Sequence, residues 1–253
     1  MSNLNGKTAL ITGASKGIGY ETAIYLAEQG VNIVAMARSA DALAELVGRI
    51  TSAGGKAIAV AGDVSRMTDA QAAAQAAMEK FGSLDILVNN AGIIDPIARI
   101  EDINPAAWAE VININVTGVF NCLQACIAPM KQSGGGRVIN ISSGAATSAL
   151  EGWSHYCASK AAVLSLTRCA DLELHAEGIS VVGLSPGTVA TGMQVAIHSS
   201  GINPVSKLDP DSHRDPRDIA KTIAWLCSPE GLKVSGEDFS IKTEENRRLV
   251  GIN

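Results

Sequence analysis

The sequence predicts a doubly wound α/β fold, one parallel sheet of about seven strands with helices on both faces. Three observations predict it. Short apolar runs alternate with helical stretches from the start of the chain, the mark of βαβ units with right-handed crossovers. The runs are continuously apolar and not alternating, as strands buried on both faces require. Polar residues and glycines cluster directly after these runs, where open α/β sheets bind their ligands.

In chain order, residues 8–11 read as a strand that ends in glycines, and 18–28 as a helix. Residues 32–36 read as strand, 40–53 as helix, 56–61 as strand, 67–81 as helix and 86–89 as strand. Residues 105–132 read as one long helix, opened by Pro105 near its first turn, where a missing N–H costs nothing. Then follow strand 137–141, helix 156–176, strand 179–184, helix 215–227 and a last short strand 239–241. No linker, charge block or composition break divides the chain, so residues 1–253 read as one domain carrying both cofactor and substrate sites. Residues 193–213 read as a loop covering the pocket. Met193, Val195 and Ile197 offer it either an apolar lid face or the packing face of a short helix. Residues 242–253 read as a charged tail.

Composition narrows the function. The chain has 253 residues, 47% of them hydrophobic, and a net charge of −5. The apolar fraction excludes disorder, and a globule of this size removes roughly 70–75% of its unfolded surface from water. A mildly acidic balance without a basic stripe argues against nucleic acid. No apolar run approaches the ~20 residues of a membrane span, and the polar start of the chain does not read as a signal peptide. The cysteines Cys122, Cys126, Cys157, Cys169 and Cys227 lack CxxC spacing and read as free thiols in a reducing cytosol. The four histidines are scattered, His155 bordering the pocket or capping a turn, and no metal site is expected.

The segment Thr12-Gly13-Ala14-Ser15-Lys16-Gly17-Ile18-Gly19 joins the first strand to the first helix. Glycines there let backbone approach a phosphate, and the helix N-terminus beyond offers unpaired N–H groups to a pyrophosphate. The spacing is GxxxGxG and not GxGxxG. Gly13, Ser15, Lys16, Gly17, Ile18 and Gly19 are therefore candidate cofactor contacts. A carboxylate at the end of the second strand would hold the ribose hydroxyl of NAD, whereas an Arg suits the 2′-phosphate of NADP. Here Arg38 stands at that point and no carboxylate follows until Asp41. With Lys16 as a second cation, NADP(H) is favoured over NAD(H).

Tyr156 and Lys160 lie four apart, on one helix face. A nearby ammonium favours the phenolate and is expected to lower the tyrosine pKa from ~10, giving a tuned acid/base. Ser143 lies at a strand end thirteen residues earlier, where its hydroxyl meets a carbonyl oxygen.

Taken as a set, TGASKGIG at 12–19, Asn89-Asn90-Ala91-Gly92, Asn115, Ser143, YCASK at 156–160 and Ser185-Pro186-Gly187 resemble the short-chain dehydrogenase/reductase family in its compact, single-domain, Rossmann-type form. The resemblance covers residues 6 to about 236. It implies Tyr156 as acid/base, Ser143 as holder of the substrate oxygen, Lys160 as partner of both Tyr156 and the nicotinamide ribose, and Asn115 as holder of a relay water, although an interior helix Asn also bonds backbone. It implies adenine contacts from Asp63 and Val64, Asp63 being also a possible turn cap. Asn90, Ala91 and Gly92 would flank the adenosine ribose and stabilise the centre of the sheet. Pro186, Gly187, Val189 and Thr191 would fix the nicotinamide amide. It further implies a cytoplasmic homotetramer or homodimer.

The expected activity is interconversion of a carbonyl and a secondary alcohol on a small molecule, a 3-oxoacyl thioester or a small ketone or sugar. The alternative is an NADP-binding regulator without turnover. Glu151 argues against an acidic group at its wall of the pocket. The family commonly ends its last strand in Asp-Gly-Gly; here Ile241 leads into the charged tail.

Overall fold

A computed structural model describes residues 4–252 of the chain. Strands β1 (Thr8–Thr12), β2 (Asn32–Ala37), β3 (Ala57–Ala61), β4 (Ile86–Asn89), β5 (Gly136–Ile141), β6 (Ile179–Ser185) and β7 (Asp238–Ser240) form one sheet in the order β3-β2-β1-β4-β5-β6-β7. The pairings along it are parallel. The order reverses between β1 and β4, so the chain leaves the sheet in opposite directions there and opens a crevice beyond the carboxyl ends.

The helices are α1 (Gly17–Glu28), α2 (Ala40–Ser52), α3 (Met67–Phe81), α4 (Pro105–Ile112), α5 (Gly118–Gln132), α6 (Ser154–Leu174), α7 (Gly192–Ser200), α8 (Pro216–Leu226) and α9 (Glu244–Val250). Successive strand residues face opposite layers. Ala9, Ile11, Ile33 and Ala35 meet Leu43 and Leu46 of α2 and Ile219 and Ile223 of α8. Leu10, Val34, Met36 and Leu87 meet the other layer, built on Ala73 of α3, Cys122 of α5 and Leu174 of α6. The buried face of α3 is all alanine, at 70, 73, 74 and 77, so this helix lies close on the sheet. Local signals set the ends. Ser39 caps α2 and Asp215 caps α8, where Pro216 takes the first turn, and Gly82 closes α3 in the left-handed conformation.

The helix expected over residues 105–132 is present with those bounds, and a π-helical turn at Asn113–Thr117 lies inside it, between α4 and α5. Two expectations are corrected. Residues 193–213 are not a plain loop, since α7 and two short 3-10 turns occupy them. The tail after β7 folds into α9, with Thr243 as cap. A third correction concerns apolar length. Pro105–Gln132 is long and apolar enough to cross a membrane by composition, with a mean hydropathy of 1.5 in its best window, half of which is buried inside the protein. In this fold that apolarity covers the sheet and α6.

A buried polar chain ties the centre together. Asn89 Nδ2 donates to Asn140 Oδ1 at 2.9 Å, and Asn140 Nδ2 donates to Thr167 Oγ1 at 2.9 Å. β4, β5 and α6 are thereby locked in register. Asn140→Val is expected to leave the Asn89 amide without that acceptor and to lower stability by about 1–3 kcal/mol, read as a shift of the urea midpoint.

Candidate active site

The glycine loop sits over the β1/β4 crevice and is held there by side chains from the far side of it. Asn90 Nδ2 donates to the carbonyls of Thr12 (2.9 Å) and Gly13 (3.2 Å). Thr12 Oγ1 accepts from the backbone N–H groups of Asn90 and Ala91, both at 3.0 Å. Thr12, which sequence reasoning passed over, is thus the hub of this clamp; a threonine ending a strand carries no pattern that marks it. The approach is so close that a Cβ on Gly19 would lie 2.5 Å from both Gly13 O and Asn90 Nδ2. Gly13, at φ +63°, would place its Cβ 2.9 Å from Ala91 Cα.

Above this loop, α1 begins with no side-chain cap and no acidic residue in its first turn. Its first N–H groups therefore have no side-chain cap, which suits that end to a pyrophosphate. Ser15 and Ile18 flank that point, half-buried, and Lys16 is exposed. Thr191 closes over it, its Cγ2 lying 3.2 Å from where a Cβ on Gly17 would stand. The stretch leading to Thr191 is pinned by Val189, which is buried and bridges to Arg214, and by Gly187, which turns at φ +73°.

At the end of β2, Arg38 is exposed and acts on Asp63 across the β3 end. Partial burial raises the Asp63 pKa, but hydrogen bonds from the Ser65 N–H (2.9 Å) and hydroxyl (2.8 Å), with the charges of Arg38 and Arg66, bring it below the usual carboxylate value. Asp63 is thus engaged as the cap of its own turn. Val64 packs against Gly118 at the start of α5, and Asn121 Nδ2 donates to its carbonyl at 3.0 Å.

The second constellation lies at the β5 end. The Ser143 hydroxyl acts on the Tyr156 phenol, lowering its pKa, and accepts from the Ala145 N–H at 3.2 Å. The Lys160 ammonium lies 5.5 Å from the centroid of the Tyr156 ring and donates to the Ile141 carbonyl at 2.7 Å. Asn115, within the π turn, accepts from the Ile93 N–H and donates to the Ile93 carbonyl, both at 2.9 Å, and donates to Ser159 Oγ at 3.1 Å. The Ser159 hydroxyl donates to the Tyr156 carbonyl at 2.8 Å. Asn115, Ser143, Tyr156 and Lys160 are therefore brought together. Ser159, the link between Asn115 and the tyrosine turn, had no assigned role in the sequence reading, though it lies inside the YCASK segment.

The electrostatics correct one expectation. Burial pushes the Tyr156 phenol up to about 12, with only the Ser143 hydrogen bond opposing it. The ammonium is turned to the ring and to Ile141, and so does not lower the phenol. Lys160 is itself pushed down to about 8 by burial, against the pull of Asp238. That carboxyl lies over Gly183, whose missing Cβ would stand 2.8 Å from Asp238 Oδ1.

Beside Tyr156 the packing is apolar. Ile94, Ala145, Trp153 and Ile197 form a buried cluster with it, flanked by Ile97, Leu150 and Met193. Trp153 meets the Tyr156 ring edge-on at 5.6 Å. Met193 and Ile197 of α7 thus pack against the pocket wall as part of a short helix. Beyond Leu150 opens a cavity of about 460 Å3. His155 is fully buried and its Nε2 lies 2.7 Å from the Ile94 carbonyl, so it braces the wall and caps nothing. Among the described residues, no cluster of three or more His, Cys, Asp or Glu comes together.

A family model described as short chain dehydrogenase matches residues 7–200. The chain belongs to the short-chain dehydrogenase family. It is 35% identical over 248 residues to a 3-oxoacyl-[acyl-carrier-protein] reductase of Synechocystis sp., covering 95% of this chain and 97% of that protein. It is 32% identical over 245 residues to a cyclohexanol dehydrogenase of Acinetobacter sp. strain SE19, covering 95% and 96%. Among solved structures, a short chain dehydrogenase from Burkholderia cenocepacia in complex with NADP is similar with a TM-score of 0.83 and 32% identity, covering 94% and 97%. A dehydrogenase/reductase from Sinorhizobium meliloti gives a TM-score of 0.84 and 32% identity, covering 94% of each chain. Short-chain dehydrogenases are oxidoreductases that use a nicotinamide cofactor. The uncapped start of α1 and the glycine cradle below it fit such a group.

The buried ammonium gives a stability test. Lys160 keeps its proton to about pH 8 when folded and to about 10.5 when unfolded. Between those values the unfolded chain binds more protons, so its stability contribution rises with pH from 8 toward 10.5. Urea unfolding at pH 7.5 and 10 is expected to show Lys160→Met losing a pH-dependent gain of about 2 kcal/mol that the wild type retains.

Proposed function

We propose that this short-chain dehydrogenase is an NADP(H)-dependent reductase that converts a ketone into a secondary alcohol, with Tyr156 as acid/base. The observation that carries the reading is the Ser143 hydroxyl acting on the Tyr156 phenol at the end of β5, beside an apolar cluster. Two hydroxyls on one point are what a carbonyl oxygen needs as it gathers negative charge.

The nicotinamide, when bound, supplies the hydride. Tyr156 gives its proton to the substrate oxygen, and Ser143 donates a hydrogen bond to the same oxygen. A phenol held near 12 stays protonated at neutral pH, which suits the reductive direction. Lys160 binds the nicotinamide ribose and supports proton return to Tyr156. Asn115 holds a water behind it; its own side chain is spent on Ile93 and Ser159, so the acceptor for that water is a backbone carbonyl of the π turn. Such turns concentrate at functional sites.

For the cofactor, Gly13, Ser15, Lys16, Gly17, Ile18 and Gly19 take the pyrophosphate, and Asp63, Val64, Asn90, Ala91 and Gly92 line the adenosine. Pro186, Gly187, Val189 and Thr191 fix the amide. Arg38 takes the 2′-phosphate, and the presence of NADP in the Burkholderia relative supports that choice. The apolar walls suit a small ketone, and the cavity beyond Leu150 leaves room for the acyl chain of a 3-oxoacyl thioester. The same reading takes the chain to be a homotetramer or homodimer, to which the exposed Phe120 of α5 and Leu172 of α6 contribute apolar surface. The free thiols suit a cytoplasmic setting.

Tyr156→Phe is expected to abolish NADPH oxidation with every ketone tested while the NADPH Kd from fluorescence titration stays within about twofold; retained turnover removes Tyr156 from its role. Arg38→Asp is expected to move the ratio of kcat/KM for NADPH over NADH toward NADH by tenfold or more, roughly the worth of a charge-assisted hydrogen bond. An unchanged ratio assigns the selection elsewhere.

A further inference from the structure

The charged tail places a cation in the active site. After β7 the backbone makes one last sheet contact, Ile241 N–H to Ser185 O at 3.3 Å, and the next residue is Lys242. Its stem runs over Gly187, where an added Cβ would lie 3.7 Å from Cγ and 3.9 Å from Cε. Its ammonium ends against Gly144, where an added Cβ would lie 2.7 Å from Nζ. Gly144 directly follows Ser143. A side chain at either glycine would fill part of this path, so two residues 43 apart in sequence together make room for one lysine.

The segment is held by design of the tail. Asn246 Nδ2 donates to Ser240 O at 2.8 Å, and Arg247 Nη1 donates to Ile241 O at 3.2 Å and Lys242 O at 2.8 Å. Two side chains of α9 therefore grip three successive carbonyls around Lys242. Its ammonium, by contrast, has no hydrogen-bond or ion-pair partner among the described residues, and the side chain is exposed. Glu151, which lines the cavity beyond Leu150, is paired with Arg99 at 2.8 Å.

We propose that Lys242 is a specificity-determining residue whose ammonium binds a carboxylate on the substrate, making this chain a reductase of keto acids. The proposal rests on the reductase reading and names its substrate class. A single ammonium, not paired with a second cation or an arginine fork, matches the single charge of a carboxylate better than a phosphate dianion. The stem lies on the stretch assigned to the nicotinamide, and the charge is delivered beyond it to Ser143, on the substrate side. The substrate carbonyl would lie at Ser143 and Tyr156, its apolar arm toward Trp153 and Leu150, and its carboxylate toward Gly144.

The test compares acetoacetate and levulinate with their ethyl esters, with cyclohexanone as a neutral ketone, using NADPH and the full chain. Wild type is expected to prefer each acid over its ester by roughly tenfold or more in kcat/KM, the range of a hydrogen bond to a charged group. Lys242→Met is expected to collapse that ratio toward one, Lys242→Arg to restore most of it, and the NADPH Kd to stay unchanged in both. Equal turnover of acid and ester by wild type, or an acid-over-ester ratio that survives Lys242→Met, overturns the carboxylate assignment and leaves the reductase reading standing. A weakened NADPH Kd in Lys242→Met reassigns the lysine to the cofactor and also overturns it. Absence of turnover with every ketone, cyclohexanone included, overturns the reductase reading and this proposal with it.

Discussion

One buried ammonium orders the active-site half of the molecule. Lys160 is only 7% exposed, and an ion so placed needs its donors satisfied. The Ile141 carbonyl at the end of β5 satisfies one of them, which fixes α6 against the strand that delivers Ser143. One turn earlier on α6, Tyr156 then has a single place to be, beside the Ser143 hydroxyl and edge-on to Trp153. Ser159, on the same helix, reaches the π turn through Asn115. Strand, helix and π turn converge because three side chains from one helix each bind a different neighbour. The cost of burial is visible in the depressed Lys160 pKa.

The cofactor half obeys a different constraint, close approach of backbone to backbone. Asn90 and Thr12 draw the glycine loop against the β4 end, so closely that a methyl group at Gly13 or Gly19 would collide with backbone or with the Asn90 amide. The loop needs glycine for that reason alone, whatever it binds. The two halves meet where Gly187 turns after β6, with Thr191 reaching back over Gly17.

What the sequence made legible follows from where its signals are local. The strands and most helices could be read because each is a short apolar run or a periodic stretch closed by its own Gly, Pro or cap, and the extents of α3 and β4 agree to the residue. The glycine loop and the Tyr156 to Lys160 spacing were equally local. The π turn was not, because it depends on Asn115 bonding Ile93, 22 residues away. Nor was α9, a short, charged helix whose stability comes from capping by Thr243 and from carbonyls gripped by Asn246 and Arg247. The phenol pKa was misjudged because spacing shows that Lys160 shares a face with Tyr156 but not which way its ammonium turns.

Lys242 shows why a tail of plain surface composition can still bear on chemistry. By sequence it is one charge among several after the last strand, and no spacing ties it to Ser143. The sheet supplies the tie. β5, β6 and β7 are neighbours in that order, so their carboxyl ends bring Gly144, Gly187 and Lys242 side by side although they lie far apart in the chain. A residue two positions beyond the edge strand can then reach two strands inward if the intervening positions have no side chains, and here both are glycine. The site is thus completed from the end of the chain, at the edge strand whose exit is least constrained by the dinucleotide-binding core. A change there can alter which substrate is admitted and leave the glycine loop, Tyr156 and Lys160 untouched.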